Sequence, residues 1–332
     1  MSGLTVVNPG ILCLLQDAGR FGQGALGLTN GGPLDGNSFR WANALLGNSI
    51  GSTALELSVG GLQLHAEQDG FCCVTGAPLP FSINGKTVSQ WQVQRFRAGD
   101  TLELGMMTQG LRSFIAVAGG FAVPTQFGSS ATVMREGIGG LASRPGSKLA
   151  AGDMLQIAIA TASSTDRPMI LDAVPQAWRP TFTQAIELRL IESYQAAQFS
   201  AVERVRFYLA RYTISNSADR MGYKLSGPAI HCQAKPLLSE GICYGAVQIP
   251  PDGQPIVLLN DRQTLGGYPK MGAILSLDGW QLAQATPGSA VSFSPITAED
   301  AHNALQLDAA RFARQLLQLQ QQPLPQKSAS TL

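Results

Sequence analysis

Turn residues interrupt this chain so often that few apolar runs last long enough to build a large helix. Its 37 glycines and 19 prolines sit between short apolar stretches, the pattern of many tight turns joining short strands. Residues 12–16, 61–66, 71–75 and 81–83 read as such strands. Asn84-Gly85 before Val88 is a two-residue hairpin signal, because both residues tolerate positive φ. Arg97-Ala98-Gly99-Asp100 and Ala150-Ala151-Gly152-Asp153 are matching turns, each followed by a strand start, and hint at a repeated sheet edge. One helix stands out in this half, over 36–46, with Asp35 placed to cap it.

The second half continues the pattern, with strands expected over 186–191, 211–215, 245–249, 256–259 and 290–293. A helix is predicted over 299–319, capped by Thr297 and running into a Gln-rich end. Between the halves, residues 159–168 lose hydrophobicity and gain small polar residues, as a linker does. The expected fold class is mainly β with few helices. One β-rich module is expected over 1–160, a second over 169–310 with its terminal helix, and a Gln-rich tail over 311–332.

Composition narrows the function classes. Hydrophobic residues at 45% against charged residues at 14% give a sizeable core and exclude a disordered or coiled-coil chain. The net charge of +1 comes from scattered Lys and Arg with no basic stripe, so nucleic acid is not an expected partner. No apolar run reaches the roughly 18 residues of a membrane span. Met1 to Thr5 carry neither a basic flank nor an apolar stretch, which predicts no secretory signal and a cytoplasmic location. Cys13, Cys72, Cys73, Cys232 and Cys243 fit no CxxC frame and read as reduced, mostly buried residues. His65, His231 and His302 make no zinc frame, so no metal site is expected.

Gly22-Gln23-Gly24-Ala25-Leu26-Gly27 matches the GxGxxG spacing of dinucleotide sites. No helix opens at its third glycine and no βαβ rhythm surrounds it, so that reading fails on context. Gly137-Ile138-Gly139-Gly140 offers backbone N–H groups to an anion, but a plain turn suits the same residues better. Asp252, in Pro250-Pro251-Asp252-Gly253, reads as a turn former. Denser chemistry lies in two later stretches. Asp219, Arg220 and Tyr223 crowd around Gly222, and residues 260–270 place Asp261, Arg262, Gln263, Thr264, Tyr268 and Lys270 just past a buried-looking strand. Sites are commonly built at such strand ends.

Several segments, taken in order, carry a resemblance. They are Gln16-Asp17-Ala18-Gly19-Arg20-Phe21-Gly22, residues 35–48, Ala54-Leu55-Glu56, Val117-Ala118-Gly119-Gly120-Phe121 and residues 127–132. Asp219-Arg220-Met221-Gly222-Tyr223 and residues 248–255 and 261–270 complete the set. Together they make the chain resemble the carboxyltransferase subdomain A, or KipA-like, family, and within it the C subunits (PxpC) of bacterial 5-oxoprolinase. The resemblance implies cyclophilin-like β-barrel modules. It implies a subunit, inactive alone, that works with a PxpB (KipI-like) chain and a PxpA-like chain. Such assemblies hydrolyse 5-oxo-L-proline to L-glutamate at the expense of ATP, with Mg²⁺ and no tightly bound cofactor. The chain departs from its relatives at Ser143-Arg144-Pro145-Gly146-Ser147, where they often place a Gly-Arg pair.

A lactam is a poor electrophile, and ATP activates it by phosphorylating the carbonyl oxygen. Such a site needs cations, hydrogen-bond donors and a carboxylate. Asp261, Arg262 and Lys270 are therefore the expected catalytic residues, the first for orientation or proton transfer and the two cations for anions. Gln248, Gln263, Thr264 and Tyr268 are expected to supply hydrogen bonds to substrate, and Gly266 and Gly267 backbone N–H groups. Arg220 either completes an anion pocket or pairs structurally with Asp219. Two other functions fit the resemblance: a biotin-dependent carboxyltransferase of the urea carboxylase type, and a non-enzymatic regulator that binds a KipI-like protein.

Overall fold

The computed structural model describes residues 3–158, 171, 173–183, 185–232 and 238–321. The linker expected over 159–168 lies outside them. The first half contains β1 (Gly3–Pro9), β2 (Leu12–Gln16), α1 (Gly36–Leu45), β3 (Ala54–Ser58), β4 (Gly60–Ala66), β5 (Gly70–Gly76) and β6 (Phe81–Ile83). It continues with β7 (Lys86–Thr87), β8 (Val93–Phe96), β9 (Thr101–Met106), β10 (Arg112–Val117) and β11 (Met154–Gln156). These strands form two packed sheets, β11-β1-β4-β9-β6-β7 and β2-β3-β10-β5-β8. Asn84 and Gly85 take φ 51° and 73°, the two left-handed residues that a two-residue hairpin between β6 and β7 requires. The matching Gly-Asp turns lead into β9 and β11, which share the first sheet, and only β11 is an edge strand.

Strand β4 alternates between fully and partly buried positions. It and its neighbour β9 pack Leu62, Leu64, Leu102 and Leu104 against the second sheet. By contrast, β3 and β10 are buried along their whole length, because the second sheet is covered on both faces. Its outer face carries α1, whose Phe39, Trp41, Ala42 and Leu45 cluster with Cys73, Phe114 and Ala116. Asp35 caps this helix as expected, accepting from the Ser38 N–H at 3.0 Å. Strand alternation then has a consequence for Glu56. Leu55 and Leu57 point into the sandwich, so Glu56 leaves it on the α1 side.

The second half contains β12 (Ala185–Glu192), α2 (Ala201–Leu209), β13 (Tyr212–Ala218), β14 (Gly222–Ser226), β15 (Glu240–Gly241), β16 (Ala246–Gln248) and β17 (Ile256–Leu258). After these come β18 (Leu265–Gly266), β19 (Lys270–Ile274), α3 (Gly279–Gln284), β20 (Ala290–Pro295) and α4 (Ala298–Gln321). Seven of these strands close a barrel in the order β12-β19-β16-β17-β14-β13-β20, while β15 and β18 form a separate ladder beside it. The barrel interior is filled by Leu188, Leu190, Tyr212, Leu225, Val247, Val257, Met271 and Phe293. The chain is thus mainly β with a closed barrel, and has four α-helices among the described residues.

Helix α4 begins at the Thr297 cap, whose hydroxyl accepts from the Asp300 N–H at 3.0 Å. It then crosses to the first half. The Phe312 ring meets Trp41 edge-on at 4.7 Å between centroids, an arrangement worth about 0.5–1.5 kcal/mol beyond its buried area. Arg40 lies 4.4 Å over the same ring and pairs with Asp308 at 2.7 Å. The helix expected over 299–319 is observed over Ala298–Gln321 and runs into the stretch expected as a Gln-rich tail, where Phe312 and Leu319 anchor it in the α1 cluster. Residues 322–332 lie outside the described set.

Candidate functional site

The two chemistry-dense stretches meet at the seam between the halves. Arg220, in the turn between β13 and β14, is 5% exposed. Its Nε and Nη2 donate to the two oxygens of Asp261 at 2.9 and 3.0 Å, and Nη2 also reaches the Gly32 carbonyl at 2.7 Å. Nη1 donates to Glu56, which accepts the Leu34 N–H at 2.8 Å on its other oxygen. Burial by itself would lower the Arg220 guanidinium, but Asp261 and Glu56 outweigh it and hold it above its ordinary value. Arg220 does not pair with Asp219. That carboxylate accepts from the N–H groups of Met221 and Gly222 at 2.7 and 3.2 Å, tying its own turn.

The rest of the loop after β17 fastens the same seam. The Asn260 amide donates to the Gly31 and Pro33 carbonyls at 2.9 and 3.1 Å. Arg262 donates to Asn30 at 3.0 Å and to the Ile242 carbonyl at 3.2 Å, and burial pulls its guanidinium down from the ordinary value. The Thr264 hydroxyl reaches the Gly27 carbonyl at 3.4 Å. From α3, Gln284 donates to Asp35 at 2.8 Å and accepts from the Leu111 and Arg112 N–H groups at 2.9 and 2.8 Å. Asp35 is fully enclosed, and burial pushes its carboxyl up against the opposing pull of the Ser38 and Gln284 hydrogen bonds.

Gln248, Gly266 and Lys270 come together elsewhere, on the outside of the barrel. Gln248 on β16 pairs in register with Lys270 on β19, and Gly266 on β18 with Glu240 on β15. Val247 and Met271 point into the barrel core, so their strand neighbours Gln248 and Lys270 turn outward. There the Lys270 ammonium pairs with Glu240. The same carboxylate accepts from the Tyr194 hydroxyl and, at 2.8 Å, from the Gln195 amide. Hydrogen bonds from Lys270 and then Tyr194 hold Glu240 below the usual carboxylate range. Gln248 is 1% exposed, and its Nε2 has no partner among the described residues. A Cβ on Gly266 would lie 2.9 Å from that nitrogen and 2.4 Å from Ile242 Cδ1, so a larger residue there would push both side-chain ends aside. Further along this loop Gly267 and Gln263 are half-buried and Tyr268 is exposed. Neither Gln263 nor Tyr268 joins the hydrogen-bonded network among the described residues.

Sequence reading noted Glu56 only within the Ala54-Leu55-Glu56 segment, without a role, and singled out neither Gln284 at the seam nor Glu240, Tyr194 and Gln195 at the corner. Glu56 left one usable signal, a lone carboxylate inside an otherwise apolar strand. The others left none, because their partners are remote in sequence. The Gly137–Gly140 turn spends its N–H groups internally: Gly139 donates to Gln126 at 2.8 Å and Gly140 to the Ser130 carbonyl at 2.9 Å. Burial pushes the Cys72 thiol up to about 12, which leaves it inert. Among the described residues no group of three or more His, Cys, Asp or Glu is placed to hold a metal ion. A groove of ≈ 580 Å³ walled by Arg40, Trp41, Trp178, Tyr244 and Trp280 contains none of the expected site residues. No helix among the described residues is long and apolar enough to cross a membrane.

Residues 26–295 match the family described as carboxyltransferase domain, subdomain A and B. The chain is 34% identical over 315 residues to the 5-oxoprolinase C subunit of Escherichia coli (strain K12), a match covering 94% of this chain and 97% of that protein. Identity to the 5-oxoprolinase C subunit of Haemophilus influenzae is 33%, over 90% of this chain and 94% of the relative. The solved structure of K. lactis urea amidolyase shares the fold, with a TM-score of 0.85 at 24% identity over 94% of this chain. This chain spans only 20% of the amidolyase. By the match over most of its length, the chain belongs to the family of the carboxyltransferase domain, subdomains A and B, with 5-oxoprolinase C subunits as its near-full-length relatives.

Proposed function

We propose that this chain is the C-type subunit of an ATP-dependent 5-oxoprolinase, which cleaves 5-oxo-L-proline to L-glutamate with hydrolysis of ATP. The observation that carries this is the 34% identity to the E. coli 5-oxoprolinase C subunit across 97% of that protein. The subunit acts with a PxpB/KipI-like chain and a PxpA-like chain, and ATP enters with Mg²⁺ as a co-substrate. In the reaction the lactam oxygen takes the γ-phosphoryl group and ADP leaves. Water then adds to the activated carbon and the ring C–N bond breaks to leave an acyl phosphate, which a second water hydrolyses to glutamate and phosphate.

Roles follow from place. Lys270 and Gln248 face the ligand, the ammonium holding an anionic group and the amide donating to a neutral oxygen. Gly266 keeps that space open, and Gly267, Gln263, Thr264 and Tyr268 belong to the loop around it. Asp261, Arg262 and Arg220, whose polar atoms bond within the protein, are positioning residues that fix this loop on the seam. The measurement is glutamate release from 5-oxo-L-proline and ATP, by this chain alone and with both partner chains. Turnover is expected only in the complete mixture. A silent mixture, with this chain still bound to its KipI-like partner, would end the oxoprolinase assignment and favour the carboxyltransferase or regulatory function.

A further inference from the structure

Three donors converge on Glu240: the Lys270 ammonium, the Tyr194 hydroxyl and the Gln195 amide. Lys270 is buried to 7% exposure, and its own N–H is fixed by Gln195 Oε1 at 2.8 Å. These donors are held by barrel strand β19 and by the turn after β12, whereas Glu240 arrives from the short β15–β18 ladder outside the barrel. The ladder has only two paired rungs, Glu240 with Gly266 and Gly241 with Leu265. The side chain of Glu240 remains 34% exposed, so it can swing into solvent without unfolding anything. The cross-strand partner of Lys270 is Gln248, whose amide is an unpartnered donor in a side chain 1% exposed, close to Gly266. Burying an amide without a partner is costly. A donor left this way next to a filled carboxylate cradle points to a ligand larger than the carboxylate now in it.

We propose that this corner is a binding site for a small molecule bearing a carboxylate and a nearby neutral oxygen, and that Glu240 occupies it as an internal stand-in until such a ligand displaces it. The ligand's carboxylate replaces that of Glu240 on Lys270, Tyr194 and Gln195, and its second oxygen accepts from Gln248. 5-Oxo-L-proline has both groups, so the choice of ligand rests on the function proposed above, while the cradle itself does not. A tethered competitor acts at an effective concentration of order mM, so the site binds weakly until the competitor is removed.

Titration calorimetry on the full chain tests this with three probes: sodium acetate, 5-oxo-L-proline, and its primary amide, which lacks the carboxylate. Glu240→Gln should bind acetate and 5-oxo-L-proline at least about tenfold more tightly than wild type, with no gain for the amide. Lys270→Met should lose both carboxylates while melting cooperatively near the wild-type temperature. Equal or weaker carboxylate binding by Glu240→Gln, or no carboxylate binding by any variant, would overturn the proposal and make Glu240 a structural brace. The two proposals can fail separately. A gain for acetate without 5-oxo-L-proline binding keeps the cradle and removes support for the oxoprolinase assignment. Turnover by the complete mixture with an unmoved Glu240→Gln affinity does the reverse.

Discussion

Arg220 at the seam and Lys270 at the outer corner are both nearly buried cations paired with carboxylates, yet their surroundings differ. Arg220 lies between two carboxylates that are themselves enclosed, Glu56 at 1% and Asp261 at 6% side-chain exposure. Every partner it has belongs to the protein core. Lys270 instead meets a carboxylate that is one-third exposed and reaches in from outside the barrel, beside an amide with no partner. The contrast separates two uses of the same residue types. A buried charge closed off by internal partners fixes architecture, whereas one whose partner comes from the solvent side, next to an unmet donor, is arranged for exchange.

The largest test of this contrast is Arg220→Ala, which strands Glu56 and Asp261 in the core without their counter-charge. Removing one side of a buried ion pair costs about 3–5 kcal/mol, so the midpoint of urea unfolding should fall sharply. A loss below about 1 kcal/mol would erase the distinction. Lys270→Met should behave oppositely, changing unfolding free energy by no more than about 1 kcal/mol. In the reconstituted mixture it should weaken substrate use by about ten- to hundredfold, the worth of one hydrogen bond to a charged group. Unfolding like that of Arg220→Ala would place Lys270 with the seam instead.

A smaller effect is expected for Gln284→Ala, which leaves Asp35 and the Leu111 and Arg112 N–H groups short of partners at a cost of about 1–3 kcal/mol. The smallest concerns pH. Burial raises Asp35 above its ordinary value of 3.8, so folding favours its protonated form. That contribution is fully present below 3.8 and is lost as pH rises through the folded-state value. The stability of wild type relative to Asp35→Asn should therefore decline as pH climbs from about 4, followed by urea titrations across the acidic range. A gap that stays flat would show that the seam tolerates the charge.

Local signals in the sequence were enough for much of the fold. Asn84-Gly85 marks its hairpin because the turn needs two positive-φ residues in a row, and Asp35 marks a helix start because capping involves residues three apart. The same holds for part of the corner, where Gln248, Gly266 and Lys270 lie in short motifs at the ends of strands. Glu56 and Arg220 are 164 residues apart, and Asp35 and Gln284 are 249 apart. Their pairing is decided by how a sandwich and a barrel dock, which no local pattern encodes. What the Gln-rich end of the last helix packs against escaped for a related reason. Glutamine-rich composition argues for solvent, but Phe312 and Leu319, spaced seven residues apart, share the stripe that lands on α1.

The reach of α4 back to α1 also sets a timetable for synthesis. Arg40 and Asp308 are 268 residues apart, so at ordinary translation rates roughly 13 to 54 s separate their emergence from the ribosome. Throughout that interval the aromatic patch around Trp41 lacks Phe312 and Leu319, and a nascent chain displays that side to chaperones and proteases. Burial of the patch by Phe312 and Leu319 then reports that synthesis has passed α4.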